Sequence, residues 1–343
     1  AAPTLRLKCS TATAATASSA CESCGAFLAR YIEYPEAVGR YNRIVSNEAS
    51  VGRLRQFVRY LRWAMRESRA WEIPRRYVWF ALLYRWGWHE RVVFSYAGAR
   101  FHLFNSPMSQ LMYYHPNRWH GAEDLRRLTP LLRPGDVIVD VGANVGSHIL
   151  PLMKRLGEAT LGYAFEPHPR VFRYLQANAQ LNRLQRLHLY NYALGAEAGE
   201  VAFTDVSSDD LNRIALGDAP LRVPMRPLDC FECAHQPITL LKIDVEGYEW
   251  FVLRGAEQAQ ANAQLLYIEV CDGHSAQYGY SVRDLVDYLR SRGWLLYRWE
   301  MPHLMRPVSY PPQVAVWENW LGVRDRVFLH ERLCATPIRV SDE

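Results

Sequence analysis

The fold is decided by the stretch Asp136-Val-Ile-Val-Asp140-Val-Gly142-Ala-Asn144-Val-Gly146-Ser147. Its first half is apolar and β-branched, which is typical of a strand that is covered on both faces of a sheet. The glycines allow a sharp turn, and the helix predicted to follow directs free N–H groups towards that turn. Asp140 interrupts the apolar run near its carboxyl end, where open α/β sheets bind their ligands. The stretch therefore predicts a strand, a glycine-rich turn and a helix that together hold a ligand.

The spacing of the glycines excludes the dinucleotide fingerprint Gly-x-Gly-x-x-Gly. Counted from Gly142, its second and third glycine positions hold Asn144 and Ser147. A second predicted strand, Leu161–Phe165, ends in Glu166, 26 residues after the aspartate of the first strand. An acid at that offset suits hydrogen bonding to ribose hydroxyls. A ribose-binding acid without a diphosphate loop indicates S-adenosylmethionine, and the alternative is a βαβ unit with an incidental glycine-rich turn.

The composition predicts a globular protein with one large α/β domain and an accessory region. The chain has 343 residues, of which 49% are hydrophobic, and a net charge of +5. It contains no run of 18 apolar residues, so we expect no membrane-spanning helix. The seven cysteines are an odd number, which argues against a disulfide scaffold and favours a reducing compartment. Two Cys-x-x-Cys pairs, Cys21/Cys24 and Cys230/Cys233, lie about 200 residues apart, so a shared zinc site is disfavoured.

Three regions are predicted along the chain. Residues 1–30 form a low-complexity tail, because Ala, Ser and Thr dominate it and no acidic residue precedes Glu22. Residues 31–130 form a helical and hairpin accessory region, and residues 131–343 form the ligand-binding domain. The protein is expected in the cytoplasm, and an organelle is the alternative if residues 1–26 are the remnant of a transit peptide.

The accessory region contains a basic, tryptophan-rich segment at residues 51–91. The segment contains ten arginines and three glutamates, which gives it a net charge of +7. The interleaved tryptophans are Trp63, Trp71, Trp79, Trp86 and Trp88. One interpretation is a surface for anionic lipid, nucleic acid or an acidic carrier. The favoured interpretation is a helical cap whose tryptophans pack on the main domain and whose arginines are solvated.

Strands and helices alternate through the rest of the chain, as a parallel sheet requires. A hairpin precedes them, since Arg91–Phe104 alternates in hydropathy on both sides of Ala97-Gly98. The predicted helices are Glu123–Leu132, Gly146–Leu156, Pro169–Leu181, Tyr248–Ala259 and Ser281–Arg292. The later predicted strands are Leu187–Asn191, Val201–Thr204, Thr239–Ile243, Gln264–Glu269, Trp294–Arg298 and Arg326–Leu329. The proline-rich Met301–Pro312 is predicted to be a loop.

Charged residues follow two of these strands at their carboxyl ends. Lys242, Asp244 and Glu246 close one strand, and Glu269 and Asp272 close the next. Parallel strands end at one edge of a sheet, so these residues are expected to converge with the acids of the first two strands in one crevice. Crowded carboxylates at such an edge have raised pKa values or bind a cation.

Either property suits the transfer of a methyl group to a hydroxyl. A carboxylate can deprotonate the hydroxyl, or a divalent cation such as Mg²⁺ can lower the pKa of the hydroxyl. The metal-free version is favoured because Lys242 offsets part of the negative charge, and no metal ligand is assigned. Asp244 is therefore expected to be the most sensitive catalytic residue, supported by Glu246, Glu269 and Lys242. In the alternative interpretation, Glu246 and Glu249 only cap the following helix, and Lys242 pairs internally.

Seven short motifs stand in a fixed order over residues 134–270. They are Val139-Asp140-Val-Gly-Ala-Asn144-Val-Gly146, Ala164-Phe-Glu166-Pro167, Asn178 to Asn182, Ala193-Leu-Gly195, Leu241-Lys-Ile-Asp-Val-Glu-Gly247, Leu253-Arg-Gly-Ala256 and Ile268-Glu269. This ordered series resembles the FkbM-type methyltransferases. The resemblance implies a Rossmann-like, seven-stranded class I methyltransferase sheet that uses S-adenosylmethionine, here with an N-terminal helical and β-hairpin extension.

The resemblance also implies roles for individual residues. Glu166 would hold the ribose of the cofactor, and Ala193 would lie near its adenine. The other residues that would line the cofactor are Asp140, Gly142, Ala143, Asn144, Gly146 and Pro167. Members of this family most often methylate hydroxyls of sugars or polyketides, so the favoured function is O-methylation of a sugar hydroxyl on a glycan or glycosylated metabolite.

Three other functions stay open at this point. They are RNA ribose 2′-O-methylation, N-methylation of a peptide, and a cofactor-binding scaffold without catalysis. Nucleic acid is disfavoured as a partner, because an RNA-directed enzyme is expected to use a lysine-rich acid–base set and the predicted core offers only Lys242. The predicted partners are a small-molecule or glycan acceptor and an anionic surface contacted by residues 51–91.

Overall fold

The computed structural model describes residues 72–343 apart from 118, 207–210, 302, 311–313, 315–316, 335 and 342–343. The predicted tail, the Cys21/Cys24 pair and the first part of the basic segment, residues 51–71, lie outside the described residues. Residues from Arg75 to Glu343 form one compact unit. The boundary predicted at residue 131 falls inside this unit and stays a prediction.

The N-terminal part of this unit consists of helices and one hairpin. Helix α1 is Glu72–Arg85, and strands β1 and β2 are Val93–Tyr96 and Ala99–His102. The hairpin turns at Ala97-Gly98, where both residues have positive φ, as a tight two-residue turn requires. Helices α2 and α3 follow at Pro107–Tyr114 and His120–Leu128. The predicted hairpin is therefore confirmed, whereas α2 was not predicted.

The remaining elements alternate between strands and helices. The strands are β3 (Val137–Val141), β4 (Leu161–Phe165), β5 (Leu187–Tyr190), β6 (Ala193–Leu194), β7 (Gly199–Phe203), β8 (Leu221–Arg226), β9 (Ile238–Ile243), β10 (Ala263–Val270), β11 (Leu295–Met301), β12 (Leu304–Pro307), β13 (Glu318–Val323) and β14 (Arg339–Val340). The helices are α4 (Ile149–Leu156), α5 (Pro169–Asn182), α6 (Glu249–Arg254), α7 (Glu257–Asn262), α8 (Asp272–Gln277), α9 (Val282–Ser291) and α10 (Arg326–Leu333).

The main sheet has the order β14-β12-β11-β13-β10-β9-β3-β4-β5. Strands β5, β4, β3, β9 and β10 are parallel, and β13 lies antiparallel between β10 and β11. The predicted Rossmann-like methyltransferase sheet is confirmed by seven neighbouring strands, which are β5, β4, β3, β9, β10, β13 and β11. Strands β12 and β14 extend one edge of this sheet. Strands β4 and β5 lie on one side of β3, whereas β9 and β10 lie on its other side. The strand order therefore reverses between β3 and β9, which is the position where open sheets of this kind bind ligands. A separate small sheet has the order β6-β8-β7.

Both faces of the main sheet are covered, which explains the uninterrupted apolar strands. Ile138 and Leu240 enter one cluster of buried side chains, whereas Val139 and Leu241 enter the other. All four side chains are at most 1% exposed. Alternate residues of one strand therefore build two separate cores, as a helix-covered parallel sheet requires.

The last predicted strand is wrong, because Arg326–Leu329 belongs to helix α10. Asp325 begins this helix by accepting a hydrogen bond from the backbone N–H of Val327 at 2.7 Å. An aspartate cap at the helix N-terminus outweighs the short apolar run that suggested a strand. The final long strand is instead β13, which precedes the cap in sequence and pairs with β10 along six residues.

Two further boundaries differ from the prediction. The single helix predicted over Tyr248–Ala259 is divided into α6 and α7 at Gly255, where an added Cβ would lie 2.0 Å from the carbonyl oxygen of Gly195. The close approach of two backbones there breaks the helix. The loop predicted over Met301–Pro312 contains β12, which pairs with β11 after a register shift.

Two asparagines of α5 attach the hairpin to the main sheet. Asn178 Oδ1 accepts a hydrogen bond from His102 N at 2.9 Å, and Asn178 Nδ2 donates to the carbonyl oxygen of Val145 at 2.9 Å. Asn182 Oδ1 accepts from Arg100 N, and its Nδ2 donates to Arg100 O. The two side chains thus form hydrogen bonds with backbone groups at the outer edge of β2, and Asn178 joins that edge to the turn after β3.

The described part of the basic segment is helical in α1, as predicted, but its tryptophans do not pack as expected. Trp79, Trp86 and Trp88 are each more than half exposed. Among the described side chains of this helix, Phe80 is buried and in ring contact with Tyr84 and Tyr114. No helix among the described residues is long and apolar enough to cross a membrane. The cytoplasmic location stays a prediction.

Candidate functional site

The turn after β3 touches the turn after β9 at the point where the sheet order reverses. Gly142 has a φ of +82°, and a Cβ added there would lie 1.8 Å from the carbonyl oxygen of Asp244. Asp244 N in turn donates to the carbonyl oxygen of Val141 at 3.1 Å. Only glycine fits both the backbone conformation and the available space. The predicted cofactor turn and the predicted catalytic turn are therefore one contiguous surface.

The acid that follows β4 is held by backbone amides. Glu166 Oε2 accepts a hydrogen bond from Asn144 N at 3.0 Å, and Glu166 Oε1 accepts from His168 N at 2.8 Å. Asn191 Nδ2 donates to the carbonyl oxygens of Glu166 and Pro167 at 2.8 and 2.9 Å. The buried carboxylate is thus fixed in place at the carboxyl end of β4.

A row of charges joins the strands on both sides of the reversal point. Lys242 Nζ lies 3.2 Å from Asp140 Oδ1 and donates to Asp244 Oδ2 at 3.1 Å. Burial alone would lower the pKa of Lys242, but the two carboxylates raise it above its usual value, so the ammonium stays charged. Asp140 and Lys242 are buried, whereas the Asp244 side chain is 28% exposed. The row therefore begins in the core and ends at the accessible edge.

Two glutamates and a histidine meet beside this row. His274 Nδ1 lies 3.6 Å from Glu246 Oε2 and 3.6 Å from Glu269 Oε2. Burial, with the charge of Asp244 in addition, raises the pKa of Glu269, and the Glu269 carboxylate raises the pKa of His274. The structure thus brings Glu246 and Glu269 together, as predicted, and adds His274 from α8.

The segment from residue 140 to residue 296 matches the family described as Methyltransferase FkbM domain. The chain has an FkbM methyltransferase domain. It is an S-adenosylmethionine-dependent methyltransferase. The family match begins at the buried aspartate of β3 and ends within β11, so it includes every residue of the charged row and of the glutamate–histidine group.

Curated relatives of the FkbM domain cover part of this chain. The 2-O-methyltransferase NoeI of Sinorhizobium fredii is 27% identical over 188 residues, which are 48% of this chain and 76% of NoeI. The hexuronic acid methyltransferase AglP of Haloferax volcanii is 25% identical over 157 residues, which are 45% of this chain and 64% of AglP. The chain therefore spans slightly less than two thirds of AglP.

Solved structures that match this chain include one with bound AdoMet and one O-methyltransferase. TYW2 of M. jannaschii in complex with AdoMet has a TM-score of 0.35 and 16% identity, covering 68% of this chain and 84% of TYW2. The SAM-dependent O-methyltransferase of Thermotoga maritima has a TM-score of 0.34 and 14% identity, covering 61% of this chain and 66% of that enzyme. The assignment of the fold rests on the strand order of this chain and not on these superpositions.

The remaining predicted cofactor residues of the FkbM domain lie along the same edge. Ala143 N, like Gly142 N, donates to the carbonyl oxygen of Phe165 at 3.0 Å, which joins the first turn to the end of β4. Gly146 has a φ of +87°, and a Cβ there would contact Leu150. Ala193 begins β6 and is buried, two residues after the asparagine that holds the Glu166 turn.

Glu249 of the FkbM domain stabilises the turn that follows β9. Its Oε1 accepts hydrogen bonds from Val245 N and Gly247 N at 3.1 Å each, and its Oε2 accepts from the Tyr280 hydroxyl at 3.2 Å. Burial and the nearby charge of Glu269 raise the pKa of this carboxyl. The hydrogen bonds of Glu249 thus go to the turn before α6 and not to the first N–H groups of that helix, which differs from the alternative interpretation that Glu246 and Glu249 cap it. The Glu246 carboxylate lies 3.6 Å from His274 Nδ1.

A buried polar group beneath the cofactor turn was missed by the sequence analysis. Asp124 accepts hydrogen bonds from the Tyr267 hydroxyl at 2.5 Å and from Asn319 Nδ2 at 3.2 Å, and His148 Nε2 lies 3.4 Å away. Burial opposes ionisation, but the contact with His148 and the bond from Tyr267 lower the pKa of Asp124 to about 2. The group ties α3 to β10 and β13, and His148 links it to the turn.

His274 and His148 were missed because nothing in the sequence singles them out. Each is one of 11 histidines and stands in a segment without other metal-ligand spacing. The only available signal was position, since His148 directly follows Ser147 at the end of the glycine-rich turn and His274 is five residues after Glu269. Their neighbours come from other elements, so only the fold reveals the clusters.

Proposed function

We propose that this methyltransferase transfers a methyl group to a sugar hydroxyl on a glycan or glycosylated metabolite. The observation that carries the proposal is the ion-paired row of Asp140, Lys242 and Asp244, which leads from the cofactor turn to a partly exposed carboxylate. The name of NoeI supports an oxygen as the methylated atom, and the name of AglP supports a sugar as the acceptor class.

The cofactor half of the site suits a nucleoside with two adjacent hydroxyls. Glu166 is oriented by two backbone amides, and a carboxylate can accept hydrogen bonds from both ribose hydroxyls. The turn that would lie along the cofactor consists of Asp140, Gly142, Ala143, Asn144 and Gly146, with Pro167 and Ala193 at its far side. When bound, S-adenosylmethionine supplies a methyl group on a positively charged sulfur, which leaves as a neutral thioether once the acceptor oxygen bonds the methyl carbon.

Asp244 is the group that takes the proton of the hydroxyl. Its Oδ2 is held by Lys242 Nζ at 3.1 Å, which leaves Oδ1 as the atom that accepts the proton while the new carbon–oxygen bond forms. Lys242 is itself anchored by the buried Asp140 and so acts as a positioning residue. Glu246 follows Asp244 after β9, Glu269 lies near the end of β10, and both accept hydrogen bonds from neighbouring hydroxyls of the sugar.

The proposal is tested by incubating the protein with methyl-labelled S-adenosylmethionine and a panel of acceptors. The panel contains neutral hexosides, hexuronic acid glycosides, a single-stranded RNA and a peptide with free amines. Label is expected on a glycoside, and derivatives that lack one hydroxyl each then identify the methylated oxygen. Label on RNA or on the peptide amine alone would overturn the sugar assignment and favour one of the competing acceptors.

The exposed tryptophans around α1 support a second, separate contact. Trp79, Trp86 and Trp88 are more than half exposed and stand among the arginines of residues 51–91, a combination typical of proteins that bind anionic membrane surfaces. We propose that this segment binds an anionic surface and does not contribute to cofactor binding. Charge reversal of Arg85 and Arg91 should weaken sedimentation with anionic vesicles and reduce its salt dependence, while affinity for S-adenosylhomocysteine is unchanged.

Unchanged vesicle binding in the charge-reversed protein would show that these arginines are merely solvated. Neutral vesicles serve as the matched control, because they retain the interface for tryptophan but lack the negative charge.

A further inference from the structure

The glutamate–histidine group of Glu246, Glu269 and His274 has the composition of a metal site. One atom from each side chain can be chosen so that all three lie within 4.8 Å of one another. We propose that this group binds a divalent cation, and that the cation holds the hydroxyls of the acceptor. The inference rests on the proposed function for the identity of the acceptor, but the binding of the cation is independent of it.

Two atoms of the group are buried without a hydrogen-bond partner among the described residues. They are Glu269 Oε2 and His274 Nδ1, which face each other at 3.6 Å. This separation is too long for a hydrogen bond between them. Buried polar atoms are nearly always paired in native proteins, so two atoms that face each other without a hydrogen bond suit a ligand that both can contact. The Glu269 side chain is only 11% exposed, which makes the unpaired oxygen costly.

The charges around the group favour a cation over a water molecule. Four carboxylates, those of Asp140, Asp244, Glu246 and Glu269, end within one edge of the sheet. The nearby positive charges among the described residues are Lys242, which contacts Asp140 and Asp244, and Arg213, whose charge reaches His274. Two of the four carboxylates belong to the glutamate–histidine group, and a divalent cation would offset their charge.

The distances suit ligands of one ion. Two ligands at about 2.1 Å from a common ion are separated by about 3 Å when they subtend a right angle and by about 4.2 Å when they lie opposite. The observed 3.6 Å separations from His274 Nδ1 to Glu246 Oε2 and to Glu269 Oε2 fall between these limits. Small rotations of the side chains would thus complete the site without movement of the backbone.

The donor set defines the class of cation. One imidazole nitrogen and two carboxylates suit Mn²⁺ and Zn²⁺, and they suit Mg²⁺ less well because that ion prefers oxygen ligands alone. Three protein ligands leave coordination positions for two adjacent hydroxyls of a sugar. A hydroxyl bound to the cation loses its proton more readily, and Asp244 beside the group would accept that proton. The geometry thus points to the alternative that the sequence analysis disfavoured.

The direct test measures Mn²⁺ binding without any acceptor. Protein without an affinity tag is treated with chelator, dialysed and titrated with Mn²⁺ in calorimetry, with electron paramagnetic resonance reporting the free ion. We expect one Mn²⁺ per chain, and at least a 10-fold weaker affinity in Glu269→Gln and in His274→Ala. The matched control is Glu257→Gln, which removes an exposed carboxylate that pairs with Arg292 and should leave Mn²⁺ binding unchanged.

Either of two results would overturn the inference. The first is the absence of Mn²⁺ and Zn²⁺ binding at millimolar concentration in chelator-treated protein that still binds S-adenosylhomocysteine. The second is Mn²⁺ binding that Glu269→Gln and His274→Ala leave unchanged. If one of these variants does not fold, the milder His274→Gln, checked by its thermal unfolding midpoint, takes its place.

The outcomes for the cation and for the acceptor are distinguishable. Stoichiometric Mn²⁺ binding with no methylated glycoside supports the cation and contradicts the acceptor class. A methylated glycoside whose formation is unaffected by chelator, in protein that does not bind Mn²⁺, supports the acceptor class and rejects the cation. Activity that disappears with chelator and returns with Mn²⁺ supports both.

Discussion

The two halves of the functional edge are built in opposite ways. In the cofactor half, the carboxylate of Glu166 is fixed by Asn144 N and His168 N, and the turn amides bond to Phe165 O. In the acceptor half, Glu269 Oε2 and His274 Nδ1 face each other without a hydrogen bond. Protein groups complete the first half, whereas the second half requires a ligand to complete it. Substitutions should therefore change cofactor affinity and stability in one half and turnover in the other.

The largest effect is expected for Asp244→Asn in the acceptor half. The change nearly preserves shape but removes the carboxylate that accepts the proton, so turnover should fall by about 10²–10⁴-fold. Affinity for S-adenosylhomocysteine, measured by calorimetry, should stay within about 2-fold because the cofactor half is intact. Asp287→Asn, at an exposed aspartate bonded to Tyr310, is the matched control. Near-normal turnover in the Asp244 variant would remove this residue from the mechanism.

Gly142→Ala should damage both halves, because this glycine lies where they touch. Its φ of +82° alone costs about 1–3 kcal/mol for a residue with a Cβ. The Cβ would also overlap the carbonyl of Asp244, so we expect greater destabilisation and loss of cofactor binding. Gly98→Ala measures the backbone cost alone, since that glycine has a φ of +88° and open space around it. Equal losses in urea unfolding for the two variants would contradict the contact between the turns.

Glu166→Ala tests the cofactor half alone. It removes the proposed ribose ligand and leaves Asn144 N and His168 N without their acceptor. We expect affinity for S-adenosylhomocysteine to fall by about 1–3 kcal/mol, with Mn²⁺ binding unchanged. Glu200→Ala, at an exposed residue of β7, is the control. A cofactor affinity that does not respond would show that the ribose lies elsewhere.

The smallest effect is expected in the pH dependence of stability from Asp124. Its pKa is about 2 in the folded protein and near 3.8 in the unfolded chain, so the folded state binds the proton more weakly. The resulting stabilisation, about 2 kcal/mol, is complete above pH 4 and is lost as the pH falls towards 2. Urea unfolding at a series of pH values should show a shallower acid dependence in Asp124→Asn. Equal slopes in the variant and the parent would show that this carboxyl does not titrate in that range.

The sequence predicted the cofactor half better than the acceptor half for a physical reason. The hydrogen bonds of Glu166 and the positive φ of Gly142 follow from a strand, a turn and a helix that are close in sequence, whereas the contact of Gly142 with Asp244 is long-range. The period of apolar residues and the positions of glycine predict such units directly. Most of that half could therefore be derived before the structure, whereas the Rossmann-like sheet was implied by the resemblance to FkbM-type methyltransferases.

The acceptor half depends on elements that are distant in sequence. His274 reaches Glu246 only because the short helix α8 follows β10 at the correct angle, and no periodicity encodes that angle. The strand predicted at Arg326–Leu329 failed for a related reason, because the cap at Asp325 outweighs a short apolar run. Long-range packing and single capping residues are the parts that pattern reasoning does not capture.

The position of β13 has a consequence for how this module can be moved between proteins. The family segment ends at residue 296, yet the strand that lies between β10 and β11 comes from residues 318–323. The unit of shared ancestry is thus shorter than the unit that folds. A fragment cut at the family limits would expose the edge of β10 to aggregation and would leave the asparagines of α5 without the hairpin. A chimaera that exchanges acceptor specificity should therefore be joined before β1 and after β13.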